Sequence, residues 1–236
     1  MIPISDDNPV RLTPYVNWTL IALCVGVFVW QLSLSPSGQN DDVLNALGFV
    51  PAALMEPSQS LSLAYGIPAG LTIFTSMFLH GGLLHLGGNM LYLWIFGNNV
   101  EDAMGHIRYV LFYLTGGAAA ALTMAFINPY SQVPMIGASG AISGVLGAYV
   151  LLYPRAKVRV IVPLGILLYP FRISAIFVVG FWFLIQLANA AFSNASEPGI
   201  AWWAHVGGFV AGLAITPLLK SSEFPLFGEP RRGPWG

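Results

Sequence analysis

The sequence predicts an all-α membrane protein: six transmembrane helices, with a partly embedded outer loop between helices 1 and 2. Composition is the first reason, because 56% of the 236 residues are hydrophobic and only 8% are charged. A water-soluble domain of this size needs far more charge on its surface. The second reason is a set of apolar runs, each approaching the roughly 20 residues that a helix needs to cross a bilayer. These runs cover residues 15–34, 84–100, 108–127, 139–153, 173–193 and 200–219.

The distribution of lysine and arginine predicts the orientation of the six helices. If the N-terminus is inside, all nine basic residues fall in inner segments, as the positive-inside rule expects. They are Arg11, Arg108, Arg155, Lys157, Arg159, Arg172, Lys220, Arg231 and Arg232. A wrong number of spans would scramble this partition. We therefore expect both termini in the cytoplasm and an integral multi-pass protein of the plasma (inner) membrane.

Three regions follow from this topology. Residues 1–14 form a cytoplasmic N-terminal segment, residues 15–219 the six-helix membrane domain, and residues 220–236 a cytoplasmic tail. The N-terminus lacks a basic n-region and the first apolar run is not followed by an A-x-A cleavage site, so this run is interpreted as a retained helix and not as a signal peptide. The tail is rich in proline and glycine, and we expect it to be poorly ordered.

Two apolar segments between the runs are too interrupted to cross a membrane. The outer segment, residues 35–83, contains short apolar stretches and fits a structure that lies on the outer leaflet. The inner segment Val158–Pro170 is broken by Pro163 and Gly165. We interpret it as a loop at the membrane surface.

Charge and cysteine content exclude several functions. The net charge of -1 gives no basic surface for nucleic acid. Cys24 is the only cysteine and no H-E-x-x-H motif occurs, so neither a disulfide framework nor a metal site is indicated. We expect no metal and no other cofactor.

Polar side chains within the apolar runs are the candidates for chemistry, because such residues are costly in a bilayer. His85 and Asn89 are four apart and share one face of span two, Ser139 opens span four, and His205 lies in the second turn of span six. Spans two, four and six all run from outside to inside. The topology therefore places these four residues together in the outer half of the membrane.

Small residues predict how spans four and six approach each other. Rows of small side chains at four-residue spacing allow close helix contact in lipid; they are Ser139, Ser143 and Gly147 on span four, and Gly208 and Gly212 on span six. This packing would bring Ser139 within hydrogen-bond reach of His205, as nucleophilic catalysis requires. Since no acidic residue lies at that depth, a dyad is indicated and not a triad.

Simpler interpretations of the same residues remain open. Ser139 is also a suitable N-cap, His205 a packed histidine, and Asn89 a hydrogen-bonding contact between helices. His80 is interpreted as structural, and His106 as a solvated residue of a cytosolic loop. Glu101 is expected to accept hydrogen bonds near the inner interface.

Four motifs in this order resemble those of the rhomboid family of intramembrane serine proteases. Gly137-Ala138-Ser139-Gly140 resembles the G-x-S-G active-site motif, and Ala204-His205-Val206-Gly207-Gly208 resembles the A-H-x-x-G motif of the last helix. His80 through Asn89 resembles the signature of the second helix, and Glu101 with Gly105 matches E-x-x-x-G.

The resemblance implies a rhomboid-type bundle and an endopeptidase that cuts transmembrane protein substrates within the lipid bilayer. Ser139 would attack the scissile carbonyl and His205 would transfer the proton. His85, Asn89 and the backbone N–H of Ser139 would form the oxyanion hole. Some members place a tyrosine four residues after the serine, where this chain has Ser143, so the sequence does not show what holds His205.

Two other functions compete with proteolysis. A rhomboid-like pseudoenzyme would bind client helices without cutting them, but such proteins typically lose the serine or the histidine, and this chain retains both. A six-span transporter would more naturally show repeated halves and polar residues on both sides of the midplane.

Overall fold

The computed structural model describes residues 1–35, 38–56, 61–164, 167–192 and 200–228. Its main body consists of apolar helices close to the predicted runs. They are α1 (Tyr15–Leu34), α6 (Leu83–Tyr92) continued by a π-helical segment (Leu93–Gly97) and α7 (Asn98–Met104), α8 (His106–Ile127), α9 (Ser139–Leu152), α10 (Ala175–Phe192) and α11 (Trp202–Leu219).

Four helices among the described residues, α1, α8, α10 and α11, are long and apolar enough to cross a membrane. A fifth candidate is a pair bent by 83°, Ala69–Phe78 with Leu83–Met104. Helix α9 is apolar but has only 14 residues. The protein is thus mostly helical with four or five candidate spans, while the six-span count remains a prediction.

The outer segment between α1 and α6 folds into short helices. They are α2 (Gln39–Leu47), α3 (Pro51–Met55), α4 (Leu61–Ala64) and α5 (Ala69–Thr75), followed by a 3-10 turn (Ser76–Phe78). Phe49 of this segment is fully buried and pairs with Met135 through a β-bridge. The backbone N–H of Gly137 donates to the carbonyl of Ser76 at 2.9 Å. These contacts fix the loop that leads into α9, whereas embedding in the outer leaflet stays a prediction.

Helix α9 lies at the centre of the bundle, against α11 and α8. Glycines allow this contact: a Cβ added at Gly208 would overlap the carbonyl oxygen of Gly140, and one added at Gly212 would overlap that of Gly144. A Cβ added at Gly147 would lie 2.6 Å from the carbonyl oxygen of Phe209. Only hydrogen atoms therefore fit between the two backbones.

The prediction of an all-α fold was wrong in one part, the segment between α9 and α10. The segment interpreted as a surface loop forms two strands, β2 (Lys157–Leu164) and β3 (Leu167–Ser174). A further strand, β1 (Ile2–Asp6), pairs antiparallel with β2 and completes a three-stranded sheet in the order β1-β2-β3. Val158 and Val160 are two residues apart, so they lie on the same face of this sheet, and both are buried in the core. Burial of every second side chain stabilises the strand.

The expectation of a poorly ordered tail was also wrong as far as Gly228. Phe224 is buried, the N–H of Ser221 donates to the carbonyl of Ala103, and the N–H groups of Phe227 and Gly228 donate to carbonyls at the end of α9. The tail therefore packs along the C-terminal ends of α7 and α9. Residues 229–236 lie outside the described part of the chain, as do residues 193–199 between α10 and α11.

Glu101 is a hydrogen-bond acceptor, as the sequence predicts, while its place near the inner interface stays a prediction. Its side chain is fully buried and accepts the N–H groups of Val16 and Asn17 at 3.0 and 2.7 Å. These are orphan donors of the first turn of α1, which a carboxylate stabilises. His106 Nδ1 lies 2.6 Å from the same carboxylate. The interpretation of His106 as a solvated loop residue was therefore wrong, because it opens α8 and pairs with Glu101.

Candidate active site

Ser139 and His205 meet in the structure. The Nε2 atom of His205 lies 2.8 Å from the Oγ atom of Ser139, within hydrogen-bond distance. The histidine is buried, with 8% of its surface exposed. The close contact between α9 and α11 explains this meeting, since Gly140 and Gly208 let the helices approach on the same side as the two side chains.

Ser139 is the first residue of α9, and Ala138 occupies the N-cap position without a capping side chain. The hydroxyl of Ser139 thus has His205 as its described partner, while the N-cap interpretation would direct it to backbone N–H groups. Its backbone N–H belongs to the first turn of a helix, where N–H groups have no intrahelical acceptor and favour a negative charge.

Gln186 is a residue that the sequence analysis missed. Its Oε1 atom lies 2.7 Å from Nδ1 of His205, and its Nε2 donates to the carbonyl of Trp182 at 3.3 Å. The ring centroids of Trp182 and Trp202 each lie 6.1 Å from that of His205. The available signal was a polar side chain within an apolar span, at a depth that the topology places near His205.

His85 and Asn89 lie beside Gly137, immediately before the serine. A Cβ added at Gly137 would lie 2.6 Å from His85 Nε2 and 3.5 Å from Asn89 Nδ2, and Gly137 has a φ of +114° that other residues rarely adopt. Glycine therefore lets the backbone pass close to both side chains. The Nδ1 atom of His85 accepts the N–H of Gly81 at 3.4 Å, which leaves the proton of a neutral ring on Nε2.

Asn89 carries a donor without a partner. Its Nδ2 atom is buried and makes no hydrogen bond within the described part of the chain. Unsatisfied buried donors are uncommon in native proteins and call for an explanation. A donor aimed at an oxyanion that forms only during reaction would provide one.

A cavity of about 1200 Å³ joins these groups. Ser139, His205, His85 and Asn89 line it together with Trp182 from α10 and Met135 from the loop before α9. The lining is mostly apolar with few polar groups, a pattern typical of binding sites. The cavity reaches Ser139 and is large enough to hold several residues of a polypeptide.

The predicted packing residues come together between α9 and α11. Gly208 and Gly212 face Gly140 and Gly144, so the contact row on α9 is displaced by one position from the predicted Ser139, Ser143 and Gly147 row. Gly147 takes part through the backbone of α11. Ser143 is buried, and its Cβ atom would lie 3.4 Å from a Cβ added at Gly208. Its hydroxyl donates to the carbonyl of Ser139 at 2.6 Å.

His80 lies outside this group of polar residues. Its backbone N–H donates to Gln31 Oε1 at 3.0 Å, and its carbonyl accepts Gln31 Nε2 at 3.2 Å, so it ties the outer segment to α1. Its ring centroid lies 5.2 Å from that of His85. The described residues contain no group of three His, Cys, Asp or Glu side chains that would hold a metal ion.

Comparison with known proteins identifies relatives over much of the chain. Rhomboid protein 1, mitochondrial, of Saccharomyces cerevisiae is 31% identical over 156 residues, which are 62% of this chain and 41% of the relative. The rhomboid protease GluP of Bacillus subtilis is 29% identical over 218 residues, 92% of this chain and 37% of the relative. Rhomboid-like protein 11, chloroplastic, of Arabidopsis thaliana is 28% identical over 177 residues, 71% and 58% respectively.

The chain therefore spans between about a third and three fifths of the length of these curated relatives. Residues 69–222 match the family model described as the Rhomboid domain. This region is more than half of the chain and contains both Ser139 and His205. Together with the apolar helices, the match shows that the chain is an integral membrane protein that belongs to the rhomboid family.

Proposed function

We propose that this protein is an intramembrane serine endopeptidase with a catalytic dyad of Ser139 and His205. The single observation that carries the proposal is the 2.8 Å contact between His205 Nε2 and Ser139 Oγ at the edge of a large cavity. A nucleophile and a base within hydrogen-bond reach are the arrangement that covalent catalysis requires.

The reaction follows from these groups. Ser139 Oγ attacks the carbonyl carbon of the scissile peptide bond while its proton passes to His205 Nε2. The tetrahedral oxyanion is stabilised by His85, Asn89 and the backbone N–H of Ser139. The C–N bond breaks as His205 gives the proton to the leaving amine. Water then attacks the acyl-serine with His205 again as base, which releases the second product. This chemistry needs no metal and no other cofactor.

The substrates we propose are transmembrane segments of other membrane proteins, which approach through the lipid bilayer. A helix hides its peptide carbonyls in internal hydrogen bonds, so a substrate must be locally unwound before Ser139 reaches one. Apolar cavity walls fit a lipid-embedded segment better than a soluble peptide. Helix destabilisers near the cut would therefore favour cleavage.

The membrane arrangement we propose has six spans in residues 15–219 and a partly embedded outer segment between the first two. Residues 1–14 and 220–236 are cytoplasmic in this arrangement. The second span is then Leu83–Met104, the second half of the bent pair, and the fourth span is the short helix α9. The curated relatives include mitochondrial and chloroplastic proteins, so a plasma-membrane location is proposed from charge distribution alone.

The first prediction tests the dyad. Ser139→Ala and His205→Ala should each abolish cleavage of a single-span substrate while the protein stays folded, because nucleophile and base act as a unit. The measurement is cleavage by purified protein, with a serine-directed phosphonate that should label the wild type at Ser139 alone. Cleavage by Ser139→Ala above about a thousandth of the wild-type rate would contradict the serine mechanism. An inactive wild type would instead indicate a pseudoenzyme.

A further inference from the structure

General base catalysis by His205 requires one particular tautomer. Nε2 faces Ser139, so it must carry the lone pair, and the single proton of the neutral ring must lie on Nδ1. The group that hydrogen-bonds the remote nitrogen sets this choice in histidine sites. An imidazole without such a hydrogen bond is not held in one tautomer. The hydrogen bonds described for His205 include none to a carboxylate.

The amide of Gln186 is oriented by two hydrogen bonds. Its nitrogen is a donor only, and it points to the carbonyl of Trp182 on the preceding turn of α10. Its oxygen is an acceptor only, and it lies 2.7 Å from Nδ1 of His205. The opposite orientation of the amide would bring its nitrogen to Nδ1 and its oxygen against a carbonyl oxygen. The backbone of α10 thus selects the orientation that accepts a proton from Nδ1.

Helix α10 also limits rotation of the ring. Trp182 lies four residues before Gln186, one turn away on the same face, and its ring is tilted by 34° to that of His205. Trp202 contacts the histidine edge-on from α11. Gln186 is buried, with 5% of its surface exposed, so water does not compete for its oxygen.

We propose that Gln186 is the positioning residue of His205: its oxygen holds the Nδ1–H tautomer and keeps Nε2 directed at Ser139. This inference rests on the proposed serine protease function. The same oxygen accepts the Nδ1 proton of neutral imidazole and of imidazolium, so the ring keeps one orientation throughout the reaction. A neutral amide thus occupies the place that an aspartate takes in a three-residue serine site.

The experiment compares Gln186→Leu with Gln186→Glu. Leucine has a similar size and no acceptor, so kcat should fall about 10–100-fold while KM stays within about threefold, because one buried hydrogen bond is lost and substrate contacts are kept. Glutamate should retain at least about a tenth of kcat, since either protonation state of its carboxyl group keeps an oxygen that accepts from Nδ1.

Asn189→Leu is the matched control. Asn189 lies on the same helix and donates to the carbonyl of Ile185, as Gln186 donates to that of Trp182, but its described hydrogen bond does not involve His205. This variant should keep wild-type kcat. If Gln186→Leu lowered thermal stability with kcat per folded molecule unchanged, Gln186 would be a packing contact only and the proposal would be wrong.

A spectroscopic readout is independent of cleavage. The chain has four histidines, so the ¹⁵N spectrum of histidine-labelled protein is simple, and His205→Ala identifies the signals of His205. The wild type should show a protonated Nδ1 and an unprotonated Nε2, and Gln186→Leu should lose this tautomer. An Nε2–H tautomer in the wild type would overturn the proposal. Failure of the Ser139→Ala test would instead overturn the protease assignment, whatever the spectrum shows.

Discussion

At the scale of single residues, the buried amide nitrogen of Asn89 is the most informative polar atom. This nitrogen lies close to Gly137, and Asn89 is one of the residues that line the cavity. The nitrogen has no hydrogen-bond acceptor in the described structure. A donor prepared in advance stabilises a developing negative charge better than one that must reorganise, because the protein has already oriented it. His85 Nε2 is the second such donor, set by the hydrogen bond that Nδ1 accepts.

We predict that His85→Ala and Asn89→Ala each lower kcat about 10–1000-fold, the range expected for loss of one oxyanion donor. Labelling of Ser139 by a phosphonate should persist, since nucleophile and base are unchanged. Both quantities are measured per folded molecule. Asn98→Ala, a change of the same kind in the C-terminal part of this helix run, serves as the control. Normal specific activity in a destabilised Asn89→Ala protein would favour the interhelical contact interpretation.

The sequence identified the four polar residues of the candidate site but not Gln186, which we propose orients His205. Ser139, His205, His85 and Asn89 stood out because the topology placed them at one depth. Gln186 satisfied the same criterion, yet a lone glutamine in an apolar helix gives no indication of its partner. Its contact with His205 depends on how α10 is rotated about its own axis. Because α10 is apolar on all sides, its sequence does not determine that rotation.

At the scale of elements, the contact between α9 and α11 positions the dyad. Helices in lipid gain little from apolar burial, so close van der Waals packing of small residues stabilises their association. Gly208 lies one turn from His205, and any Cβ there overlaps the carbonyl oxygen of Gly140, next to the serine. The neighbouring Val210 is 52% exposed and faces away from this contact.

We predict that Gly208→Leu reduces cleavage by about a hundredfold or more. Overpacking displaces backbone at a cost of about 1–3 kcal/mol, and a displacement near 1 Å between reacting groups costs about that much in rate. Val210→Leu should be nearly neutral because the added carbon meets no protein backbone. Activity is measured per folded molecule for both variants. Wild-type activity in Gly208→Leu would show that dyad geometry does not depend on this contact.

Helices and strands differed in how well the sequence predicted them. The first run, residues 15–34, coincides with α1, and the run at 139–153 differs from α9 by one residue, because continuous apolar stretches have clear ends. The hairpin of β2 and β3 was missed since Pro163, Gly165 and Pro170 resemble loop punctuation. Strand β1 was missed because its partner, β2, lies some 150 residues away and its five residues include Pro3.

At the scale of the whole molecule, the β-sheet and the C-terminal tail join distant parts of the chain. The N-terminal strand pairs with β2, and the tail returns to the ends of α7 and α9. Asp6 extends this network, since its Oδ2 atom accepts the hydroxyl of Tyr149 at 2.5 Å. Tyr149 is fully buried on α9, the helix that carries Ser139 at its other end. The N-terminal strand is therefore anchored directly to the central helix.

Partial burial of Asp6 makes this anchor dependent on pH. Desolvation raises the pKa of its carboxyl group from 3.8 to about 6, the charge of Asp7 adds to the rise, and the hydrogen bond from Tyr149 opposes it. The folded protein thus binds the proton more tightly than the unfolded chain does. The stabilisation is fully present below about pH 4 and is lost as the pH rises through about 6.

We predict that Asp6→Asn removes this component of the pH dependence. Asparagine keeps an oxygen that accepts the Tyr149 hydroxyl but never ionises. The stability of the variant relative to the wild type should therefore increase as the pH rises from 4 to 7. The difference in unfolding free energy should reach at most about 3 kcal/mol. Each kcal/mol corresponds to a shift of about 2–4 °C in the midpoint of thermal unfolding. Thermal unfolding in detergent across this pH range measures it, with Asp42→Asn in the outer segment as the control. Parallel pH profiles of wild type and Asp6→Asn would mean that the N-terminal strand does not hold a partly buried, protonatable Asp6 against α9.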